Sequence, residues 1–151
     1  MVWRTAYSTA TAVDAVPPST SVVRLDGGDP VPLASPGIWI VGFGLGSLRS
    51  VEVWLRLCRT DLSACAPFRV AMVGLADELA NLPDLIPPSR RRDTYVSPAT
   101  DAWADWVGPA KPDVLAAVSG GAVWPIVMAG LPTEEAWEAF VVVAQRQAAS
   151  G

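Results

Sequence analysis

The stretch "SVEVWLRLCRTDLSACAPFRVAMVG" (residues 50–74) decides how the chain is read. Val51, Val53, Leu55 and Leu57 alternate with Glu52, Trp54, Arg56 and Cys58, and Phe68, Val70 and Met72 alternate with Arg69, Ala71 and Val73. Period-two alternation is the pattern of a half-buried strand. Two such runs joined by the polar segment "RTDLSA" predict a hairpin. A helical reading competes, because Arg49, Glu52, Arg56 and Arg59 also share one helical face. The β-branched content and the strict alternation favour strands. In the hairpin, Cys58 and Cys65 flank the loop and can face each other. A bridge needs Cα atoms within about 7 Å; free, structural thiols are the first reading, a disulfide the second and a catalytic thiol the last.

Composition bounds the class. At 151 residues the chain is one domain by size. Charged residues make up 17% and apolar residues 51%, against roughly 25% charged in ordinary soluble domains. So small a molecule has much surface to cover with polar groups. The shortage points to surface buried against other chains, with a very apolar core as the alternative. The expected partners are further copies of the chain (a trimer fits) or a capsid-like lattice. The net charge of −4 excludes a general nucleic-acid binder, which needs a basic face. "MVWRTAYSTATAV" has neither a basic n-region nor an apolar h-region. "GGAVWPIVMAGLP" is shorter than the ~18 residues of a membrane span and is broken by Pro125. The expectation is a protein made in the cytoplasm without a signal peptide, off the membrane, and carried in a virion or other large assembly.

Along the chain, strands are predicted near residues 2–9, 21–25, 30–34, 37–45, 50–58, 66–73, 122–129 and 137–144. Gly42, Gly44 and Gly46 fall at every second position of "GIWIVGFGLG" and leave room for another layer to approach. "LADELANL" and "TDAWADWVGP" predict short helices, the second with Thr100 as N-cap and a stop at Gly108-Pro109. "KPDVLAAVSGG" reads as a short helix or turn. In "LPTEEAWEAFVVVAQRQ", Thr133 with Glu134 and Glu135 starts a helix, yet "FVVVA" prefers a strand. The inventory is mainly β: an antiparallel β-sandwich or jelly roll with short helices and long irregular loops. Residues 1–36 form an extended arm with edge strands, and residues 37–151 a sandwich core with a loop and short-helix insertion at 74–121. The segment "LDGGDPVPLASPGIWIVGF" (residues 25–43) resembles the strand-turn-strand entry of trimeric jelly-roll heads of the C1q and tumour-necrosis-factor type. Related sandwiches recur in virion decoration proteins, so the resemblance implies a jelly roll that assembles. It carries no functional residue over.

The chain has no histidine, which removes Ser-His-Asp and Cys-His catalysis and histidine metal sites. "GFGLGS" after a strand is close to a dinucleotide loop, but Ser47 stands where the third glycine belongs. Asp26 and Asp29 flank a glycine pair in a turn, too few ligands for calcium. Asp101 with Asp105, and Glu134 with Glu138, share helical faces, where capping and solvation account for them. No catalytic residue, metal or cofactor is expected. The interface candidates are Trp3 and Tyr7 on one side of the first strand, the loop run Arg90, Arg91 and Arg92, and Trp103 with Trp106 three residues apart. Arginine suits ionic contacts to an acidic neighbour, and paired tryptophans suit a partner's pocket or a sugar ring. The expected function is a non-enzymatic structural assembly protein, a virion capsid decoration or minor capsid protein. The alternatives are a glycan- or ligand-binding sandwich acting through Trp103 and Trp106, and a carboxylate-based hydrolase or nucleotide-dependent enzyme if residues 48–59 are helical.

Overall fold

The computed structural model describes the backbone of residues 4–6, 9–65, 67–108 and 111–150; Trp3 and Tyr7 lie outside the described residues. The elements in chain order are β1 (Arg4–Ala6), β2 (Thr9–Ala15), β3 (Ser21–Arg24), β4 (Val31–Pro32), β5 (Gly37–Phe43), α1 (Leu48–Asp61), β6 (Phe68–Gly74), α2 (Ala76–Leu85), β7 (Thr94–Pro98), α3 (Asp101–Val107), β8 (Val114–Ser119), β9 (Trp124–Ala129) and α4 (Glu134–Ser150). The strands form one sheet in the order β1-β2-β9-β8-β5-β6-β7-β3-β4. The pairs β5–β6 and β6–β7 are parallel, and β8 runs antiparallel to both β5 and β9.

The deciding stretch is thus a helix crossing over to a parallel strand, not a hairpin. Val51, Trp54, Leu55 and Cys58 are the buried residues of α1, spaced i, i+3, i+4 and i+7, which is one helical face. Trp54 and Cys58 sit on the polar side of the strand pattern, yet both are fully buried. With Glu52, Val53, Arg56 and Leu57 more exposed between them, the buried set follows 3.6 residues per turn. The strand predicted at residues 137–144 is likewise part of α4, where Thr133 Oγ1 accepts the Ala136 N–H at 3.1 Å and caps the helix. The segment "KPDVLAAVSGG" supplies β8, whose six residues are all buried. Its alanines suit a helix locally, but they pair here between β5 and β9. Thr100 is the N-cap residue of α3, and Gly108 ends that helix at a φ of 65°.

The sheet is covered on both faces. Ile38 and Ile40 of β5 pack with α1, α2 and α4, and Trp39 and Val41 pack on the opposite side with Trp103 of α3, Leu33 and Trp124. A strand covered on both faces is a continuous apolar run, which is what "IWIV" is. Much of the apolar content lies inside the chain, in two cores rather than one. The architecture is a mixed α/β sheet with helices on its faces, not an antiparallel β-sandwich or jelly roll. Residues 25–43 do not form the strand-turn-strand entry of a jelly-roll head: β4 pairs with β3 at one edge, while β5 lies at the centre of the sheet.

Candidate functional site at the start of helix α1

In open α/β sheets, ligand sites gather outside the carboxyl ends of the parallel strands, where the chain changes direction across the sheet. Here that place is the end of β5, with β6 on one side and β8 on the other. β5 leaves the sheet through Gly44, whose φ of 81° admits a glycine readily, and a 3-10 turn at Leu45–Ser47 leads into α1. The packing is tight. A Cβ on Gly42 would lie 2.8 Å from Val51 Cγ2 and 3.0 Å from Met72 Sδ, and would run into Ser47 Oγ. Of the three spaced glycines, only Gly42 is a strand position that another layer approaches, and that layer is the chain's own first helical turn.

Side chains from the β5–α1 turn, α1, α2 and the segment before β8 close the site. Ser47 is buried, and its hydroxyl donates to Gly44 O at 2.7 Å. Ser50 Oγ donates to Asp113 Oδ2 at 3.0 Å, tying α1 to the segment before β8. Glu78 of α2 accepts the Leu45 N–H on Oε2 and the Leu75 N–H on Oε1, both at 3.1 Å. A carboxylate therefore occupies the amide that a phosphate would seek after β5, so "GFGLGS" is no dinucleotide loop despite the helix that follows it. Glu78 and Asp113 escaped the sequence reading because they lie 33 and 63 residues from their partners.

A hydroxyl becomes a nucleophile beside a general base such as imidazole, and the chain has no histidine. The thiols are elsewhere. Cys58 is in the last turns of α1 and fully buried, and Cys65 lies beyond the helix, half-buried; both are free. Burial, reinforced by the neighbouring Cys65, pushes the Cys58 thiol up to about 12. A helix carboxyl end, with its partial negative charge, also disfavours a thiolate.

The interface candidates separate into different roles. Arg90 pairs with Glu52 of α1. Arg91 donates from Nη2 to Pro83 O at 2.7 Å and from Nε to Ile86 O at 3.3 Å, closing the carboxyl end of α2. Arg92 is exposed. Trp103 is buried and donates to Ser97 Oγ at 3.0 Å. Trp106 donates to Val16 O at 2.6 Å and meets Trp103 and Trp124 edge-on. The two tryptophans form no exposed pair for a sugar ring. Asp26 is held by Arg24 Nε at 2.8 Å. Among the described residues no three acidic or sulfur ligands come together for a metal, and no helix is long and apolar enough to cross a membrane.

No family model and no curated protein matches the chain. Solved structures do. One, assigned as the thiol:disulfide interchange protein DsbE of Chlorobium tepidum, matches with a TM-score of 0.57 at 13% identity, over 91% of this chain and 98% of that one. BsSco, a member of the Sco family of cytochrome c oxidase assembly proteins with an identified disulfide switch, matches at 0.55 and 10%, over 91% and 95%. A thioredoxin-family thiol:disulfide interchange protein of Chlorobium tepidum TLS matches at 0.54 and 22%, over 88% and 97%. Likeness at such identity speaks for fold, not activity. The neighbours are neither jelly-roll heads nor virion structural proteins, and the capsid-decoration reading, which stood on a sandwich, falls with it. The chain has the thioredoxin-like α/β fold.

Proposed function

We propose that this chain uses the thioredoxin-like fold for binding, without thiol–disulfide exchange of its own. Exchange needs a thiolate, and a helix amino terminus in a Cys-x-x-Cys pattern beside a βαβ unit is where a protein makes one. In this chain the corresponding turn reads Ser47-Leu48-Arg49-Ser50. That turn is the observation that carries the reading. The position of Cys58, buried at the opposite end of the same helix with its thiol raised to about 12, supports it.

The test is insulin-disulfide reduction by dithiothreitol, followed by turbidity. The wild-type chain is expected to leave the rate at that of the reductant alone. The double variant Ser47→Cys/Ser50→Cys is expected to accelerate it, because the new thiols stand at the positive end of α1. A wild-type protein that turns insulin over, and loses the activity on Cys65→Ser, overturns the reading.

A further inference from the structure

A cavity of about 280 Å³ lies between α1 and the 3-10 segment Pro88–Asp93, which carries the arginine run. Leu55, Phe68 and Val70 give it an apolar wall, and Arg59, Arg90 and Asp93 give it charge. The Arg59 side chain, on the last turn of α1, forms no ion pair or hydrogen bond with any described residue. Arg90 is held in place from two directions: its side chain pairs with Glu52, and its carbonyl accepts the Thr94 hydroxyl at 2.8 Å. Glu52 is the more exposed member of that pair, at 42% against 21% for Arg90, so the contact is one that solvent weakens.

We propose that this cavity binds a carboxylate carried on a compact apolar group, with Arg59 as its principal partner and Arg90 as the second. Glu52 already neutralises Arg90, which leaves Arg59 as the guanidinium open to a ligand, and one open guanidinium matches a monoanion. A dianionic phosphate would meet Asp93 with twice the repulsion. Guanidinium also presents the planar fork that a carboxylate fits. The volume lies at the small end of ligand sites and suits one ring or a short branched chain. Both a free organic acid and the terminal carboxylate of a peptide ending in an apolar residue have this chemistry. The inference gives the binding reading a ligand class. Insulin reduction tests that reading and ligand titration tests this one, so each can fail alone.

The experiment is amide-resolved NMR titration of the full chain with phenylacetate, phenylacetamide, inorganic phosphate, and a short peptide ending in leucine with a free or an amidated terminus. Phenylacetate or the free-terminus peptide is expected to shift Leu55, Val70 and Thr94 saturably, and the matching amide to bind at least about tenfold more weakly. Whichever of the two acids binds tighter identifies the source. Arg59→Gln is expected to weaken binding by about tenfold or more with an unchanged thermal midpoint, since Arg59 is exposed and holds nothing in the fold. The proposal is overturned by the absence of saturable shifts at those residues, by equal binding of acid and amide, by phosphate binding tighter than either acid, or by Arg59→Gln without effect.

Discussion

Gly42→Ala tests the placement of the first turn of α1 on strand β5, and its cost can be worked from the structure. The new methyl group would press on Ser47 Oγ and stand 2.8 Å from Val51 Cγ2 and 3.0 Å from Met72 Sδ. Overpacking of this kind costs about 1–3 kcal/mol. Displacing the Ser47 hydroxyl also loses its 2.7 Å bond to Gly44 O, worth about 1 kcal/mol. The reduced freedom of the unfolded chain returns about 0.4–1 kcal/mol. The expected loss is therefore about 1–3.6 kcal/mol, read as a lower urea midpoint at constant m by tryptophan fluorescence. Ser47→Ala removes the atom that the methyl group strikes. In that background Gly42→Ala should cost less, by at least about 0.5 kcal/mol of coupling. A Gly42→Ala protein within about 0.5 kcal/mol of wild type, or the same cost in both backgrounds, refutes the geometry.

Two further outcomes follow from the same structure. Cys58 holds its proton more tightly folded than unfolded, at about 12 against 9.0 for an unburied thiol. The stability it contributes is complete below pH 9 and is lost as pH rises through 12, at about 1.4 kcal/mol per unit; Cys58→Ala, although less stable at neutral pH, should show a flatter alkaline profile in urea melts, and parallel profiles would contradict this. Glu78→Ala strips the acceptor from the Leu45 and Leu75 amides and should cost about 1–3 kcal/mol, with faster hydrogen exchange at those two amides; unchanged exchange would mean that the carboxylate does not stitch the loops.

What the sequence showed and what it hid divide along physical lines. The run "IWIV" is apolar at every position, so β5 is visible as a buried strand without knowing its neighbours. Helix α3 is visible from its cap and its stop, both local signals. Helix α1 was not, because valine and leucine at alternate positions satisfy period two and period 3.6 together. Only Trp54 and Cys58 break the tie, and their burial is a tertiary fact. In α4 the run Val141-Val142-Val143 argues for a strand. The fold overrides it by burying Phe140 and Ala144, four apart, and leaving Val142 46% exposed. Strand β8 is alanine-rich and becomes a strand because it lies between two others. The site was hidden for a similar reason. Ser47 registered as a failed glycine, and its meaning required the helix it opens.

The tryptophans show where part of the apolar composition goes. Seven stand in 151 residues, and in the sequence only Trp103 and Trp106 are singled out as a pair for a partner's pocket. Trp39, Trp54, Trp103, Trp106, Trp124 and Trp137, which are all the tryptophans among the described residues, each donate the indole N–H: to Ser35 O, Gly130 O, Ser97 Oγ, Val16 O, Leu33 O and Asp61 Oδ2. Four of those acceptors are loop or turn carbonyls, groups that are costly to bury unpaired. A ring that fills a core while its N–H satisfies a carbonyl does two jobs at once. A sheet covered on both faces has two such cores, and loops that pass over both. The aromatic count therefore reports how this fold fastens its irregular segments to a buried sheet. The same devices hold Gly130 against α1 and Leu33 over β9, and so fix the loops at the ends of the sheet strands.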